Sequence, residues 1–164
     1  MRAGNLLRAT VGTAVLGLAL TVTPAAQAAT GASADTTAAV SVTLTVEGPD
    51  GTIFDDTLTT DGHEVTTETG GTHKCDGTNN GQNDTAGPTP TAALDDAAEQ
   101  EGFTWDGEWY ASFEDYFVSD IDGHNGGADH FWQISVNGTP TSVGGCQARI
   151  KAGDQVDFTW TEIE

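Results

Sequence analysis

Apolar residues that alternate with polar ones, in short runs separated by glycine-rich turns, constrain this chain more than any other feature. Val40, Val42, Leu44 and Val46 interleave with Ser41, Thr43, Thr45 and Glu47. Trp132, Ile134 and Val136 repeat the pattern, as do Val156, Phe158 and Trp160. A period of two puts one side of each run in a core and the other in water, which is a half-buried strand. Gly48-Pro49-Asp50-Gly51 reads as a turn into a return strand over 53–58, giving an N-terminal hairpin. A shorter strand is expected within 63–69, a further one over 147–151, and a tight hairpin turn at Asp106-Gly107. Asn137-Gly138 and Gly153-Asp154 mark two more turns. Over 112–123 the spacing fits a helix and a strand equally well.

One helix is well signalled. Pro90 suits a first turn, Thr89 or Thr91 can cap it, and Gly102 ends it. Leu94, Ala97 and Ala98 share a face, with Asp95, Asp96 and Glu99 opposite. About three turns cannot persist alone in water, so that face must lie on a sheet. The expected class is α+β: a strand-rich small domain of several short antiparallel strands, one helix packed on the sheet. Eleven of the twelve aromatic residues fall between Phe103 and Trp160, so this half is expected to supply most of the core.

The N-terminus reads as a secretory signal peptide over 1–28. Arg2 and Arg8 precede an apolar run from Val11 to Val22, Pro24 breaks it, and Ala26-Gln27-Ala28 offers a cleavage site. The run is too short for the roughly 20 residues a bilayer needs. The expected product is secreted and extracellular, with no membrane span in the mature chain. Residues 29–39, mostly Ala, Thr, Gly and Ser, form a flexible lead-in, and 40–164 one domain. All 25 acidic residues lie beyond position 28, against three of the five bases, Lys74, Arg149 and Lys151, so the formal charge there is −22. Such a surface repels phosphate backbones, which excludes nucleic acid as a partner.

Cys75 and Cys146 are the two cysteines. An even count in an oxidising compartment reads as a disulfide. It would tie the long polar connection over 70–90, rich in Gly, Asn and Pro, to the segment after Gly144-Gly145, where glycines leave room for close approach. His73 and Cys75 alone make no zinc site. Asp76, Thr78 and Asn80 stand at alternate positions before Gly81, part of a calcium loop, but position twelve is Gly87 rather than a bidentate Glu; a weak calcium site is the one cofactor candidate. No GxSxG, HExxH or phosphate-loop pattern occurs, and the chain is expected not to be an enzyme. A small hydrolase using one of the four histidines is the distant alternative. Trp105, Trp109, Trp132 and Trp160 could stack on sugars, although three of the four read as core, leaving Trp109 and Tyr110 as the exposed pair.

The run FWQISVNGTPTSVGGCQARIKAGDQVDFTW, with THKCDGTNNG, TPTAALDDAA and FEDYFV upstream, resembles the small domain at the C-terminus of transcobalamin and intrinsic factor, the DUF4430 family, which also occurs alone in secreted bacterial proteins. The resemblance spans roughly 40–160. It implies a compact strand-rich domain with one helix, no catalytic residue, and a binding role toward a small molecule, a glycan or a cell-surface protein. In the vitamin B12 carriers this domain closes on the corrin together with a large helical domain. No counterpart of that helical domain is seen here, so cobalamin is not an expected ligand. The candidate ligand-binding residues are Trp109, Tyr110, Phe113, Tyr116, His124 and His130.

Overall fold

The computed structural model describes residues 38–164, so the expected signal peptide and nearly all of the lead-in lie outside the described residues. The strands are β1 (Val40–Gly48), β2 (Gly51–Thr60), β3 (His63–Thr67), β4 (Gly71–Cys75), β5 (Trp105–Tyr110), β6 (Asp115–Ile121), β7 (His124–Asn125), β8 (His130–Val136), β9 (Thr139–Pro140) and β10 (Gln155–Glu162). One α-helix, α1 (Pro90–Glu101), separates β4 from β5. The class is α+β and strand-rich, as the alternation and the capped helix imply.

A five-stranded sheet runs in the order β2-β1-β10-β8-β9. Its pairs are antiparallel except β1 with β10, which pair parallel, Leu44 beside Val156 and Val46 beside Phe158. The alternation therefore does what its period requires. Val42, Leu44, Val46, Val156 and Phe158 are all buried on one face, while threonines face outward. Asn137 and Gly138 both take positive φ, 51° and 73°, the backbone that a two-residue hairpin turn needs between β8 and β9.

Helix α1 covers the buried face with Ala93, Leu94 and Ala97, beside Val118 and Ile121 of a second sheet ordered β5-β6-β7. Thr89 is the cap: its hydroxyl accepts from Ala92 N at 3.3 Å, and Gly102 closes the helix in the left-handed region at φ 79°. A smaller cluster of Val65, Cys75, Ala92, Tyr116 and Cys146 joins the helix to the β3–β4 hairpin.

Four expectations change, and one open reading is decided. The connection over 70–90 begins as strand β4, paired with β3; its inward positions are His73 and Cys75 rather than aliphatics, so no apolar alternation announces it. Asp106-Gly107 makes no turn but sits inside β5 at a register shift against β6. The Asp106 carboxylate there accepts from Gly107 N at 2.9 Å and Thr69 N at 3.0 Å, and a Cβ on Gly107 would crowd Phe117 O. Residues 147–151 form no strand: Gly144 O accepts from both Gln147 N and Ala148 N, which winds the segment into a turn. The open segment 112–123 is a turn followed by strand β6. Finally, the aromatic half does not dominate the core, because the β1–β2 hairpin supplies Val42, Leu44, Val46, Phe54 and Leu58. Of the tryptophans only Trp132 is buried; Trp105, Trp109 and Trp160 are half-buried against the two clusters.

Candidate functional site

Cys75 and Cys146 are bonded, S–S 2.07 Å, with Cα atoms 4.4 Å apart. The bridge starts a set of ties that hold the polar loop after β4 against the 144–149 turn. Gly77 N donates to Cys146 O at 2.9 Å, and the Asn83 amide reaches Gly77 O at 2.6 Å and Gln147 O at 3.2 Å. The Arg149 guanidinium donates to Thr85 O at 2.5 Å and lies where a Cβ on Gly87 would be, while its stem takes the place of one on Gly77.

This clamped loop in turn fixes the β5–β6 connection. Asn79 is buried and donates from its amide to Lys74 O at 2.8 Å and to Glu114 O at 2.5 Å; the Glu114 carboxylate accepts from Asn80 N at 2.5 Å. Glu114 is held at φ 46°, unusual for a residue with a Cβ. Gln147 donates from its side chain to Phe113 O. The tip so fixed presents three large rings to solvent: Tyr110 is 45% exposed, Phe113 62% and Phe117 50%. Exposed apolar rings gathered at and beside a fixed turn are the kind of patch that marks a binding surface.

These rings and Tyr116 form one wall of a cleft of about 530 Å³. The opposite wall is Thr141, Ser142, Val143, Gly144 and Gln147. Tyr116 is fixed there, its hydroxyl 2.6 Å from Gly71 O and 2.8 Å from Val65 O, and burial pushes its pKa up to about 12. Between the walls lies Asp115, only 5% exposed. Its oxygens accept from Cys146 N at 3.1 and 3.2 Å. A Cβ on Gly144 would collide with the carboxylate, so that glycine makes the seat. Among the described residues no basic side chain pairs with Asp115. Burial raises its pKa to about 6, against the pull of the backbone amides of Cys146, Tyr116 and Gln147.

The structure brings Tyr110, Phe113 and Tyr116 together in the cleft but not the other three expected ligand residues. Trp109 stacks on His73, centroids 4.0 Å apart and nearly coplanar, outside the cleft. His124 faces Asp50 at 3.9 Å in a shallow hollow with Phe103 and Asp122. His130 stacks on Trp160 at 5.2 Å and lines a separate hollow that shares Phe117 with the cleft. β6 and β8 carry their side chains to different neighbours, and spacing along the chain does not show this. Of the calcium candidates, Asp76 Oδ1 accepts from Thr78 N and Oγ1 at 2.9 and 2.5 Å and has Lys74 Nζ at 4.0 Å, so the loop's own donors occupy it. No group of three or more His, Cys, Asp or Glu converges on a metal position among the described residues. His63 has Asp61 and Asp95 at 3.4 Å on its two ring nitrogens, which leaves neither nitrogen to activate a hydroxyl.

Reasoning from sequence missed Asp115, Phe117 and the 141–143 wall. Gly144-Gly145 was the available signal. The close approaches those glycines permit are by the side chains of Asp115 and Thr91.

Residues 93–162 match the family model described as Domain of unknown function (DUF4430), a span that contains every cleft residue. Haptocorrin, in a crystal structure of its complex with Cbi, is similar over 77% of this chain at 15% identity and a TM-score of 0.51; the chain spans 26% of that protein's length. This likeness is one of fold. A Ruminococcus gnavus protein, described as a candidate metal-binding protein, matches over 76% of this chain and 99% of its own at 16% identity and a TM-score of 0.43. No curated protein matches the chain.

Proposed function

We propose that this chain, matched by the DUF4430 model over 93–162, is an exported, non-catalytic domain that holds a small molecule in the Asp115 cleft. The carrying observation is the cleft itself. Three exposed rings, Tyr110 ending β5, Phe113 on the turn that Asn79, Asn80 and Gln147 immobilise and Phe117 on β6, face a second wall built on the disulfide turn. Such pre-ordering lowers the cost of binding. The lining holds no histidine and no thiol, which favours binding over hydrolysis. The leader over 1–28 and the bridged cysteines support export. Residues 40–164 then act as one mature domain behind a short lead-in. The similarity to haptocorrin supports a small-molecule ligand over a glycan or a protein partner.

Saturation-transfer NMR on the mature domain tests this, using cobinamide, small aromatic compounds and oligosaccharides as probes. We expect transfer to small ring-bearing probes, lost in Phe113→Ala and Phe117→Ala and kept in Trp109→Ala. Transfer to oligosaccharides alone, or transfer abolished only by Trp109→Ala, would overturn the assignment of the cleft.

A further inference from the structure

We propose that the ligand of this cleft is an organic cation, its ammonium group lodged between the Asp115 carboxylate and the rings of Tyr110, Phe113 and Phe117. The inference rests on the reading of the cleft as the binding site and adds the charge of what binds. Asp115 lines the cleft with only 5% of its surface exposed, and the groups that bond to it are backbone amides. A buried carboxylate without an opposite charge is costly, and a neutral side chain could have accepted from Cys146 N. A carboxylate also offers about four lone-pair positions, one more than the amides of Cys146, Tyr116 and Gln147 use.

Among the described residues no lysine or arginine reaches the site. Lys74 donates to Thr78 Oγ1 at 2.7 Å, Lys151 to Asp154 Oδ1 at 2.8 Å, and Arg149 is bound to Thr85 O. These are the three bases beyond position 28. The missing positive charge must then arrive with the ligand. The rings suit the same guest, because an aromatic face attracts a cation that lies over it. The aromatic wall suits an organic cation better than a metal ion, and among the described residues no three His, Cys, Asp or Glu converge on a metal position. The formal charge of −22 beyond position 28 draws organic cations to the surface and repels anions.

The test is a 15N NMR titration of the mature domain with 2-phenylethylammonium and with its neutral near-isostere 2-phenylethanol. We expect the ammonium to shift the amides of Gly144, Cys146 and Gln147 and to bind at least about tenfold more tightly than the alcohol. Asp115→Asn should bring the ammonium down to the level of the alcohol. Phe113→Ala, at an exposed position that folding does not need, should weaken the ammonium several-fold, so the test stands even if the Asp115 variant misfolds. Equal affinity of the two probes, or an undiminished ammonium affinity in Asp115→Asn, overturns the cationic ligand while leaving an apolar binding cleft. Silence from both probes at these amides overturns the cationic ligand together with the cleft assignment.

Discussion

Asp115 carries an energetic penalty that its position in the cleft accounts for. Its folded-state pKa, about 6, lies above the ordinary 3.8, so the native state holds the proton more tightly than the unfolded chain does. The stability this contributes is complete below about pH 4 and is lost as pH rises through about 6. Asp115→Asn removes the titration. Urea unfolding should show it more stable than the parent by about 1–3 kcal/mol near pH 7 and nearly unchanged near pH 4. Loss of ligand binding with gain of stability is the trade expected of a residue kept for function. His63 shows the other kind of titration. Its hydrogen bond to Asp95, with burial opposing and Asp96 and Asp61 assisting, raises its pKa from 6.5 to about 9. That contribution is complete below about pH 6.5 and disappears as pH rises through about 9. His63→Gln should cost about 1 kcal/mol near pH 6, discounted for partial exposure, and almost nothing near pH 10, by the same unfolding assay.

At the scale of elements, the ties between the 76–87 loop and the 144–149 turn decide whether the cleft exists. The bridge spans 71 residues of sequence. Replacing both cysteines with alanine should cost about 2–4 kcal/mol in thermal unfolding and should release the Phe113 turn, seen as faster amide exchange at Asn80 and Phe113. Strands β1, β8 and β10 and helix α1 were legible in the sequence, because each buries aliphatic or aromatic side chains at its own period between clear turn or cap residues. Strand β4 was not, because its inward positions are His73 and Cys75 and, besides its pairing with β3, it is held by Tyr116 and Cys146, far along the chain. Asp106-Gly107 misled because an identical dipeptide serves a hairpin turn or a bulge; what decides is whether Thr69 donates to the Asp106 carboxylate. The rings of the cleft were partly legible, as Tyr110, Phe113 and Tyr116. Asp115 was not, among 25 acids whose burial depends on which turn closes over them.

For the whole molecule, raised pKa values outnumber lowered ones. Asp115, His63 and Asp96, the last chiefly through burial, all have raised pKa values, so each favours the native state at the acid end of its range. Asp106 and Asp154 oppose them: burial alone would raise these carboxyls, but the hydrogen bonds of Thr69 and Asn137 with Lys151 hold them below the ordinary value. Their contribution is lost only as pH falls below about 4. Repulsion among the residues beyond position 28, whose formal charge is −22, adds to the alkaline loss. The melting temperature should therefore peak near pH 4–5 and fall by roughly 5–10 °C by about pH 9, with added salt recovering part of the loss. The most direct test of the account is a crystal structure of the mature domain soaked with 2-phenylethylammonium. We expect its ring packed among Tyr110, Phe113 and Phe117 and its nitrogen within hydrogen-bonding distance of an Asp115 oxygen. The probe seated at another surface, with only water between the aromatic wall and Gly144, would contradict it.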